Sequence, residues 1–305
     1  MTAAGPRDTL GIAPVRDEAH LQARAAAARA GVEVALVTDL AELEAVEALI
    51  NETWRNPTSE ISLGVLRALS KSDNLVSGAY HHDTLVGACI AFLSGGERLH
   101  VHSHLAAVRQ EQRARGIGFT LKLHQRAWAL DQGITSVSWT FDPLVRRNAR
   151  LNLARLGARP VEYLPNFYGT REDAFNASVP TDRVLVAWPL ADARTRLACA
   201  RSTPPMHAGD LTAGGGRIAV AAGRWDEPVT APDHGAPMVL VGLPEDITAL
   251  RQKRPEVAEQ WRLAVRQSLG RALEEGLAVV GFTEEGHYVL DRTPAEVRSA
   301  DRVAR

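Results

Sequence analysis

The sequence predicts an α/β (α+β) fold: a mixed, mostly antiparallel sheet flanked by helices, with a small C-terminal α+β extension. Three observations support it. Strand-like runs fill residues 75–108, helix-like and strand-like runs alternate over 117–188, and a stretch rich in Gly, Pro and Ala precedes a further strand, helix and hairpin. We therefore expect a helical or loosely ordered leader over 1–31, a main domain over 32–190, a linker or insertion over 191–237 and a C-terminal unit over 238–305.

The main domain is expected to begin with a strand and two helices. Residues 32–37 are typical of a strand. Asp39 and Glu42 then provide the cap of an amphipathic helix, since a capping side chain followed three residues later by Glu satisfies free backbone amides. A second helix is predicted over residues 61–69.

Antiparallel strands should follow. Residues 75–80 and 85–93 flank the turn His81-His82-Asp83-Thr84, a pattern typical of a hairpin, and residues 99–108 should lie beside it.

A long amphipathic helix is predicted after residue 116. Its apolar residues recur at helical spacing, and Gly133 is a typical stop signal. An alternating strand through Val137, Trp139 and Phe141 comes next, followed by a helix from Pro143 to about Gly157. Strands over 161–168 and 183–188 complete this domain.

The C-terminal unit combines one strand, one helix and one hairpin. Residues 238–243 are strand-like, 255–275 are helical, and 281–290 are typical of a hairpin around Glu284-Glu285-Gly286. This unit could extend the sheet, cover an acceptor cleft or mediate a homodimer.

Composition excludes several classes of protein. The chain has 305 residues, 45% of them apolar, and a net charge of -1, which argues against nucleic acid or an anionic membrane as a partner. It shows no signal-peptide core and no apolar run of membrane-spanning length. Its two cysteines, Cys89 and Cys199, fit a reducing cytoplasm. Cys89 lies in an apolar run, so we interpret it as a buried strand residue.

The turn Arg113-Ala-Arg115-Gly116-Ile117-Gly118 carries the first functional signal. Glycines at the start of a helix let backbone amides approach a phosphate closely. A dinucleotide-binding motif would need glycine at position 121, which is Leu121, and a triphosphate loop would need Gly-Lys-Ser/Thr. Val108 followed by Arg-x-x-Gly-x-Gly instead resembles the coenzyme A pyrophosphate loop of the GCN5-related N-acetyltransferase (GNAT) superfamily.

Further blocks between about Leu40 and Leu190 sharpen this resemblance. They look like a branch of predicted acyltransferases similar to those associated with N-acylamino acid racemases, in which the transferase is thought to succinylate an amino acid. The blocks are residues 99–104, 121–126, 139–144, 147–149, Asn152, 156–158, 166–169 and 181–183.

The resemblance implies a coenzyme A-dependent N-acyltransferase. It would move an acetyl, succinyl or similar group directly from acetyl-CoA or another acyl-CoA to the amine of a small metabolite, such as an amino acid. It also implies a donor site in which backbone amides of the strand and the turn bind the cofactor. Two asparagines would contact the amide groups of its pantetheine arm. The implied residues are Leu105, Ala106, Ala107, Val108, Arg113, Arg115, Gly116, Ile117, Gly118, Phe119, Asn148 and Asn152. Alternatively, the two asparagines are ordinary solvent-facing residues of a helix, and the two arginines are ordinary solvated residues of a surface turn.

The general acid departs from the superfamily pattern. A tyrosine commonly sits four residues before the Gly-Phe that closes the helix, and counting back from Gly157 here gives Leu153. A leucine cannot protonate a thiolate. Tyr163 and Tyr168 are the nearest substitutes, and Tyr168 is our first candidate because it lies in a block that resembles the family. Its alternative role is packing at the end of a strand.

The base should come from three alternating histidines. His100, His102 and His104 share one face of a strand, and His102 or His104 is the candidate for substrate binding or base catalysis. Three such histidines span about 13 Å, too far to converge on one zinc ion, so no metal is expected. Ordinary hydrogen-bonded strand histidines are the alternative.

Two further interpretations stay open. Asp142, before Pro143, is interpreted as a helix cap and structural anchor, with substrate contact as the alternative. A different class of function, a non-catalytic acyl-CoA-binding regulatory or scaffold module, is compatible with the missing tyrosine.

Overall fold

The computed structural model describes residues 12–54, 60–96, 98–170 and 179–292. The chain divides into two compact units, Met1–Trp139 with Pro189–Ala200, and Thr140–Trp188 with Arg201–Arg305. This differs from the boundaries predicted from composition, because the chain leaves the first unit at Trp139 and returns to it at Pro189.

Helices and strands occupy most of the described chain. The helices are α1 (Ala13–Ala30), α2 (Leu40–Trp54), α3 (Leu63–Lys71), α4 (Ile117–Asp131), α5 (Arg146–Ala149), α6 (Ala193–Cys199), α7 (Ala208–Ala213), α8 (Ile247–Lys253), α9 (Pro255–Val265) and α10 (Arg271–Glu274). The strands are β1 (Glu33–Leu36), β2 (Leu75–His81), β3 (Thr84–Ser94), β4 (His100–Val108), β5 (Ser136–Phe141), β6 (Arg159–Leu164), β7 (Arg183–Pro189), β8 (Arg217–Ala222), β9 (Pro228–Thr230), β10 (Met238–Gly242), β11 (Ala278–Phe282) and β12 (His287–Asp291). The predicted mixed fold with sheets flanked by helices is confirmed.

In the first unit, β1 to β4 form an antiparallel meander. The predicted hairpin of β2 and β3 is confirmed, and its turn residues His82 and Asp83 have φ of 44° and 57°. Both angles are left-handed, as tight hairpin turns require. The fifth strand, β5, pairs with β4 in parallel.

Helices α2 and α3 pack on this meander through an apolar cluster. It includes Leu43, Ile50, Leu66, Ile90 and Ala107, each at most 2% exposed. Asp39 caps α2 as predicted, since its Oδ1 accepts a hydrogen bond from the amide of Ala41 at 2.9 Å, whereas the Glu42 carboxylate accepts one from the Tyr80 hydroxyl at 3.2 Å. The second helix, predicted over 61–69, begins at residue 63, because the extended Ser62 is its N-cap.

Most of the predicted leader that is described forms a helix. α1 ends at Gly31, whose φ of 65° closes it in the left-handed conformation. The fully buried Arg126 of α4 holds α1 in place, because its guanidinium donates to Gln22 Oε1 at 2.7 Å and to the carbonyl of Leu190 at 3.0 Å. α1 is therefore part of the first unit.

The second unit contains the antiparallel pair of β6 and β7 and a five-stranded sheet in the order β11-β12-β10-β8-β9. The predicted linker over 191–237 is wrong for β8 and β9, which belong to this sheet. β8 runs parallel to β10, and its Val220 is fully buried. The flanking Gly and Pro residues obscured this short apolar run in the sequence. The C-terminal hairpin of β11 and β12 is confirmed.

Two predicted elements of the second unit have different limits. The helix expected from Pro143 begins at Arg146, because Asp142 Oδ1 first caps a turn at the amide of Leu144 at 2.9 Å, and the helix continues as a π-helical segment, Arg150–Arg155. The strand expected over 161–168 ends at Leu164, where a turn through Asn166 with φ of 48° begins. Asp142 also pairs with Arg251 at 2.7 Å, which favours the interpretation of Asp142 as an anchor.

The described residues include no helix that is both long enough and apolar enough to cross a membrane.

Candidate active site

In the first unit, β4 and β5 part after a short paired segment. Along their described residues, pairing is limited to Val101 with Val137 and His102 with Ser138, although β4 continues to Val108. The rest of β4 stays paired with β3 on its other side. The stretch Leu105, Ala106, Ala107 and Val108 therefore lies beyond the point where the strands part and has one edge free of β5.

A β-bulge falls in β4 at this place. Ile90 pairs with Leu105 and Ala91 pairs with Ser103, so His104 is an extra residue on β4. Phe92 pairs with His102 and shares a face of β3 with Ile90, which puts His102 and Leu105 on the same face of the sheet. Bulges of this kind redirect side chains and are frequent beside active sites.

The candidate histidines cluster around Phe92. The ring centroid of Phe92 lies 5.2 Å from that of His102 and 5.8 Å from that of His104, and the two histidine rings are 6.4 Å apart. His102 is half-buried and His104 is exposed. These rings share the face of the sheet that α2 covers.

The two histidines differ as bases. Burial, reinforced by the positive charges of His104, His100 and Lys122, lowers the pKa of His102 to about 4. His102 is therefore neutral at pH 7 but accepts a proton weakly, whereas efficient general bases have a pKa near the working pH. The exposed His104, at the bulge, is the better placed of the two.

The predicted phosphate turn opens α4 in an unusual conformation. Ala114 and Gly116 both have positive φ, 69° and 84°, and Gly116 is the N-cap of α4 without a side-chain hydrogen bond. The first turn of α4, which contains Ile117, Gly118 and Phe119, has no acidic residue. The helix thus presents the positive end of its dipole and its first amides at this turn.

The space around the two glycines fits an anion. A Cβ on Gly116 would meet nothing within 4 Å, and one on Gly118 would meet only Val108 at 4.0 Å. Position 116 requires glycine because its φ is positive. At position 118, no neighbouring atom of the described chain excludes a larger side chain. This is the open approach that a pyrophosphate of acyl-CoA requires.

The arginines around the turn have different roles. Arg115 donates a hydrogen bond to Gln112 Oε1 at 2.6 Å. The Arg113 residue is also engaged by another group of the protein. Arg109, which the sequence did not single out, donates to Glu52 at 2.7 Å and to the carbonyl of Leu85 at 2.9 Å. Arg109 therefore ties the turn to the sheet and to α2.

The second unit holds the remaining candidates. Asn148 is half-buried in α5, and Asn152 is 4% exposed in the π-helical segment. Leu153, at the position where the resemblance would place a tyrosine, is 2% exposed. Tyr168 lies in the turn after β6 rather than in a strand, is 40% exposed, and its hydroxyl is 3.2 Å from Thr140 Oγ1.

Tyr163 is already engaged in the structure. It is 7% exposed and donates to Asp182 Oδ2 at 2.9 Å. Burial, followed by the charge of Asp182 and this hydrogen bond, raises its pKa far above the usual value. Tyr168 is thus the more accessible of the two candidate acids.

The sequence analysis missed a buried lysine. Lys122 of α4 is 6% exposed, and its ammonium donates to Ser103 Oγ at 2.7 Å and Gln125 Oε1 at 3.1 Å. Trp139 lies beneath it, with the ring centroid 3.9 Å from Nζ. The signal in the sequence was a lysine between Leu121 and Leu123 within the predicted helix. Cys89 is fully buried nearby, and burial raises the pKa of its thiol, which makes it a poor nucleophile.

Comparison with known proteins bears on this geometry. Residues 43–158, which include the parting strands and the phosphate turn, match the model of the acetyltransferase (GNAT) family. This segment, about two fifths of the chain, is therefore similar to GNAT acetyltransferase domains. No curated protein matches the chain in sequence.

Several solved structures resemble about half of the chain. One is Arabidopsis thaliana Naa50 in complex with the bisubstrate analogue CoA-Ac-MVNAL (19% identity, 52% of this chain and 97% of that chain, TM-score 0.42). Another is the ribosomal-protein-S18-alanine N-acetyltransferase of Escherichia coli (13% identity, 53% of this chain and 96% of that chain, TM-score 0.43). A third is yncA of Salmonella typhimurium with its cofactor acetyl-CoA (15% identity, 52% of this chain and 94% of that chain, TM-score 0.43).

Proposed function

We propose that this protein transfers an acyl group from acyl-CoA directly to the amine of a small metabolite, such as an amino acid, in the cytoplasm. The observation that carries the proposal is the pairing of two features in the first unit: an open glycine turn at the start of α4, and a β4 edge that β5 leaves free. One suits a pyrophosphate and the other a pantetheine arm. The resemblance to acyltransferases associated with N-acylamino acid racemases favours an amino acid as acceptor and keeps succinyl-CoA beside acetyl-CoA as donor.

In this proposal the donor is bound by backbone and side chains. The amides of Gly116, Ile117, Gly118 and Phe119 bind the pyrophosphate, with Arg113 and Arg115 supplying positive charge nearby. The β4 backbone over 105–108 binds the pantetheine arm and the thioester carbonyl. Asn148 and Asn152 are the proposed contacts to the amide groups of the arm.

The chemistry needs one base and one acid. The acceptor nitrogen attacks the thioester carbon, the C–S bond breaks, and the proton lost by the amine replaces the acyl group on sulfur. An amine of pKa near 10 is neutral about one time in a thousand at pH 7, so its deprotonation costs about 4 kcal/mol. His104, directly or through a water, is the proposed base, His102 a hydrogen-bond acceptor for the amine, and Tyr168 the proposed acid.

The first experiment is an assay of free thiol. The full chain is mixed with acetyl-CoA or succinyl-CoA and with pools of D- and L-amino acids and small amines. Release of thiol that depends on an acceptor would support the proposal and identify both substrates. Tight binding of acyl-CoA without release from any pool would contradict it and favour a binding module.

Gly118→Ala tests the phosphate turn without damaging the fold. Position 118 is the second residue of α4, and a methyl group there fits the protein but lies where the anion should approach. We expect the KM for acyl-CoA to rise about tenfold, as the loss of one charge-assisted hydrogen bond would produce. The unfolding temperature should stay the same or rise, because Ala favours helices.

Gly64→Ala is the matched control. Gly64 is likewise the second residue of a helix, α3, and its added Cβ would meet only Ser62 Oγ, at 4.0 Å. This variant should gain similar stability and leave the KM unchanged. An equal KM for the two variants would argue against phosphate binding at the turn.

A further inference from the structure

A cavity of about 570 Å³ lies in the first unit between α1, β1 and α4. Small-molecule sites in proteins have volumes of about 300–1,000 Å³. None of the lining residues belongs to the proposed donor site or to the histidine cluster. β1 is separated from β4 by β2 and β3, which corresponds to about 14 Å at the usual spacing of strands. The cavity is therefore distinct from the part of the candidate active site that β4 forms.

Short side chains on α1 leave this space open. α1 contributes Ala23, Ala27 and Ala28 to the wall, and none of them is long enough to fill the gap to α4. On the strand side, Val34 and Leu36 are two positions apart in β1, so both side chains lie on one face and form an apolar wall.

The charged residues of the cavity lie at its rim, and its deep wall is uncharged. Arg24 and Glu33 are exposed, and the half-buried Asp131 accepts a hydrogen bond from His20 Nε2 at 3.0 Å. The four most buried lining residues carry no charge and are 1–8% exposed: Val32, Thr120, Ala127 and Trp128. A charged ligand group in the deep part would lose its water without gaining an opposite charge, which is costly. The cavity therefore favours an uncharged ligand.

The imidazole of His124 is the polar group that such a ligand would satisfy. The residue is half-buried in the wall, and its Nδ1 has no hydrogen-bond partner among the residues that the structure describes. Burial, followed by the positive charge of His20, lowers the pKa of His124 to about 4, so the ring is neutral at pH 7. A neutral imidazole has one donor and one acceptor nitrogen, and a hydroxyl group can bind to either.

We propose that this cavity is a second ligand site, which binds a small uncharged molecule with an aromatic body and a hydroxyl group. The aromatic body packs against Trp128 and the apolar face of β1, and the hydroxyl group forms a hydrogen bond with His124. An uncharged alcohol carries no thioester and no amine. The ligand is therefore neither the acyl donor nor the acceptor of the proposed function.

Calorimetry on the full chain with four matched indoles tests the chemistry of the ligand. Tryptophol carries a hydroxyl group, 3-ethylindole carries hydrogen in its place, tryptamine carries an ammonium group and indole-3-acetate carries a carboxylate. We expect tryptophol to bind about fivefold more tightly than 3-ethylindole, the effect of one neutral hydrogen bond. Both charged probes should bind about tenfold more weakly than tryptophol, because the deep wall offers no opposite charge. Tighter binding of either charged probe, or no binding of tryptophol at about 1 mM, would overturn the proposal.

Two variants of α1 locate the binding. Ala27→Phe places a ring in the cavity and should weaken the binding of tryptophol by about tenfold or more. Ala25→Phe is the matched control, because Ala25 is exposed on the opposite side of the same helix and should leave the affinity unchanged. Circular dichroism shows that both variants are folded. Equal affinity of the two variants for tryptophol would mean that it binds elsewhere.

His124→Phe tests the hydrogen bond separately from the shape of the cavity. The variant keeps an aromatic ring at position 124 but removes both nitrogens. The preference for tryptophol over 3-ethylindole should disappear, while 3-ethylindole should bind as it does to the wild type. A preference that stays unchanged would overturn the role of His124, and the loss of both probes would show that the variant has lost the cavity itself, which Ala27→Phe then tests alone.

A saturating concentration of acetyl-CoA separates this site from the acyl-transfer site. Tryptophol should bind to the free chain and to the chain with acetyl-CoA, because the cavity shares no residue with the proposed donor site. Displacement of tryptophol by acetyl-CoA would assign the binding to the donor site and overturn the inference. These binding measurements need no turnover, so a failure of the proposed function in the thiol assay leaves their outcome unaffected.

Discussion

Each unit contains a buried charged group, and the two groups are treated in opposite ways. In the second unit, Asp182 is 4% exposed and accepts hydrogen bonds from Tyr163, Arg262, Arg266 and the amide of Asn166, at 2.6 to 3.3 Å. In the first unit, Lys122 is almost equally buried, but its partners are uncharged.

The difference lies in how each charge is compensated. The Asp182 carboxylate is fully compensated, and its arginines, from α9 and the segment that follows it, hold the segment between β6 and β7 to that helix. Such a network is costly to break but gains nothing from a ligand. Lys122 instead contacts Ser103, Gln125 and Trp139, which are uncharged. Burial alone therefore does not determine how a charge affects stability, because its partners decide that.

The largest expected effect is on the compensated cluster. Asp182→Asn leaves Arg266 without its carboxylate and Arg262 with Glu259 alone, and should lower the free energy of unfolding by about 3–5 kcal/mol. Urea unfolding at pH 7 measures this. Asp233→Asn is the matched control, because Asp233 pairs with Arg292 at 31% exposure, and an exposed pair contributes at most about 1 kcal/mol. Similar losses in the two variants would remove the contrast.

The pH dependence of Asp182 has a definite sign. Burial by itself raises the pKa of its carboxyl, but hydrogen bonds from Arg266, Asn166 and Tyr163 outweigh burial and lower it. A lowered carboxyl pKa stabilises the folded state above the unfolded value, about 3.9, and this contribution is lost as the pH falls through the folded pKa. The difference between wild type and Asp182→Asn should therefore shrink below about pH 4.

A smaller effect of opposite direction is expected at Lys122. Burial lowers its folded pKa to about 8, so the unfolded chain binds more protons between about pH 8 and pH 10.4. Stability relative to Lys122→Met should rise by about 3 kcal/mol over that range, and at pH 7 the variant should be at least as stable as wild type. Urea titrations of both proteins at pH 7, 8.5 and 10 measure it. A variant much less stable at pH 7 would mean that Lys122 is as well compensated as Asp182.

The smallest effects on stability distinguish the two tyrosines. Tyr163→Phe removes one donor from Asp182 and should cost about 1 kcal/mol of stability without a specific effect on catalysis. Tyr168→Phe should change stability by less than about 0.5 kcal/mol, because its hydroxyl is exposed. It should lower kcat by about 100-fold while acyl-CoA binding is retained, if Tyr168 is the acid. Unchanged turnover in Tyr168→Phe would remove that role.

Sequence patterns predicted those elements well that depend only on residues close to each other in the chain. The hairpin of β2 and β3, the strand β4, the helix α4 and its glycine turn all follow from periodicity and turn residues within about 15 positions of each other. The failures have local causes as well. Glycine and proline around β8 made a strand look like a linker, and Asp142 displaced the start of α5 by capping a turn.

The sequence by itself determined most of the elements before residue 190, the glycine turn that opens α4 and most of the candidate residues. Only the tertiary structure decided which candidates remain accessible. It engaged Tyr163 with Asp182 and left Tyr168 exposed, inserted a bulge at His104, and placed Lys122 against Ser103 and Trp139 without a carboxylate. The physical reason is that hydrophobic periodicity is written along the chain, whereas the compensation of a charge depends on side chains that meet only after distant strands and helices pack.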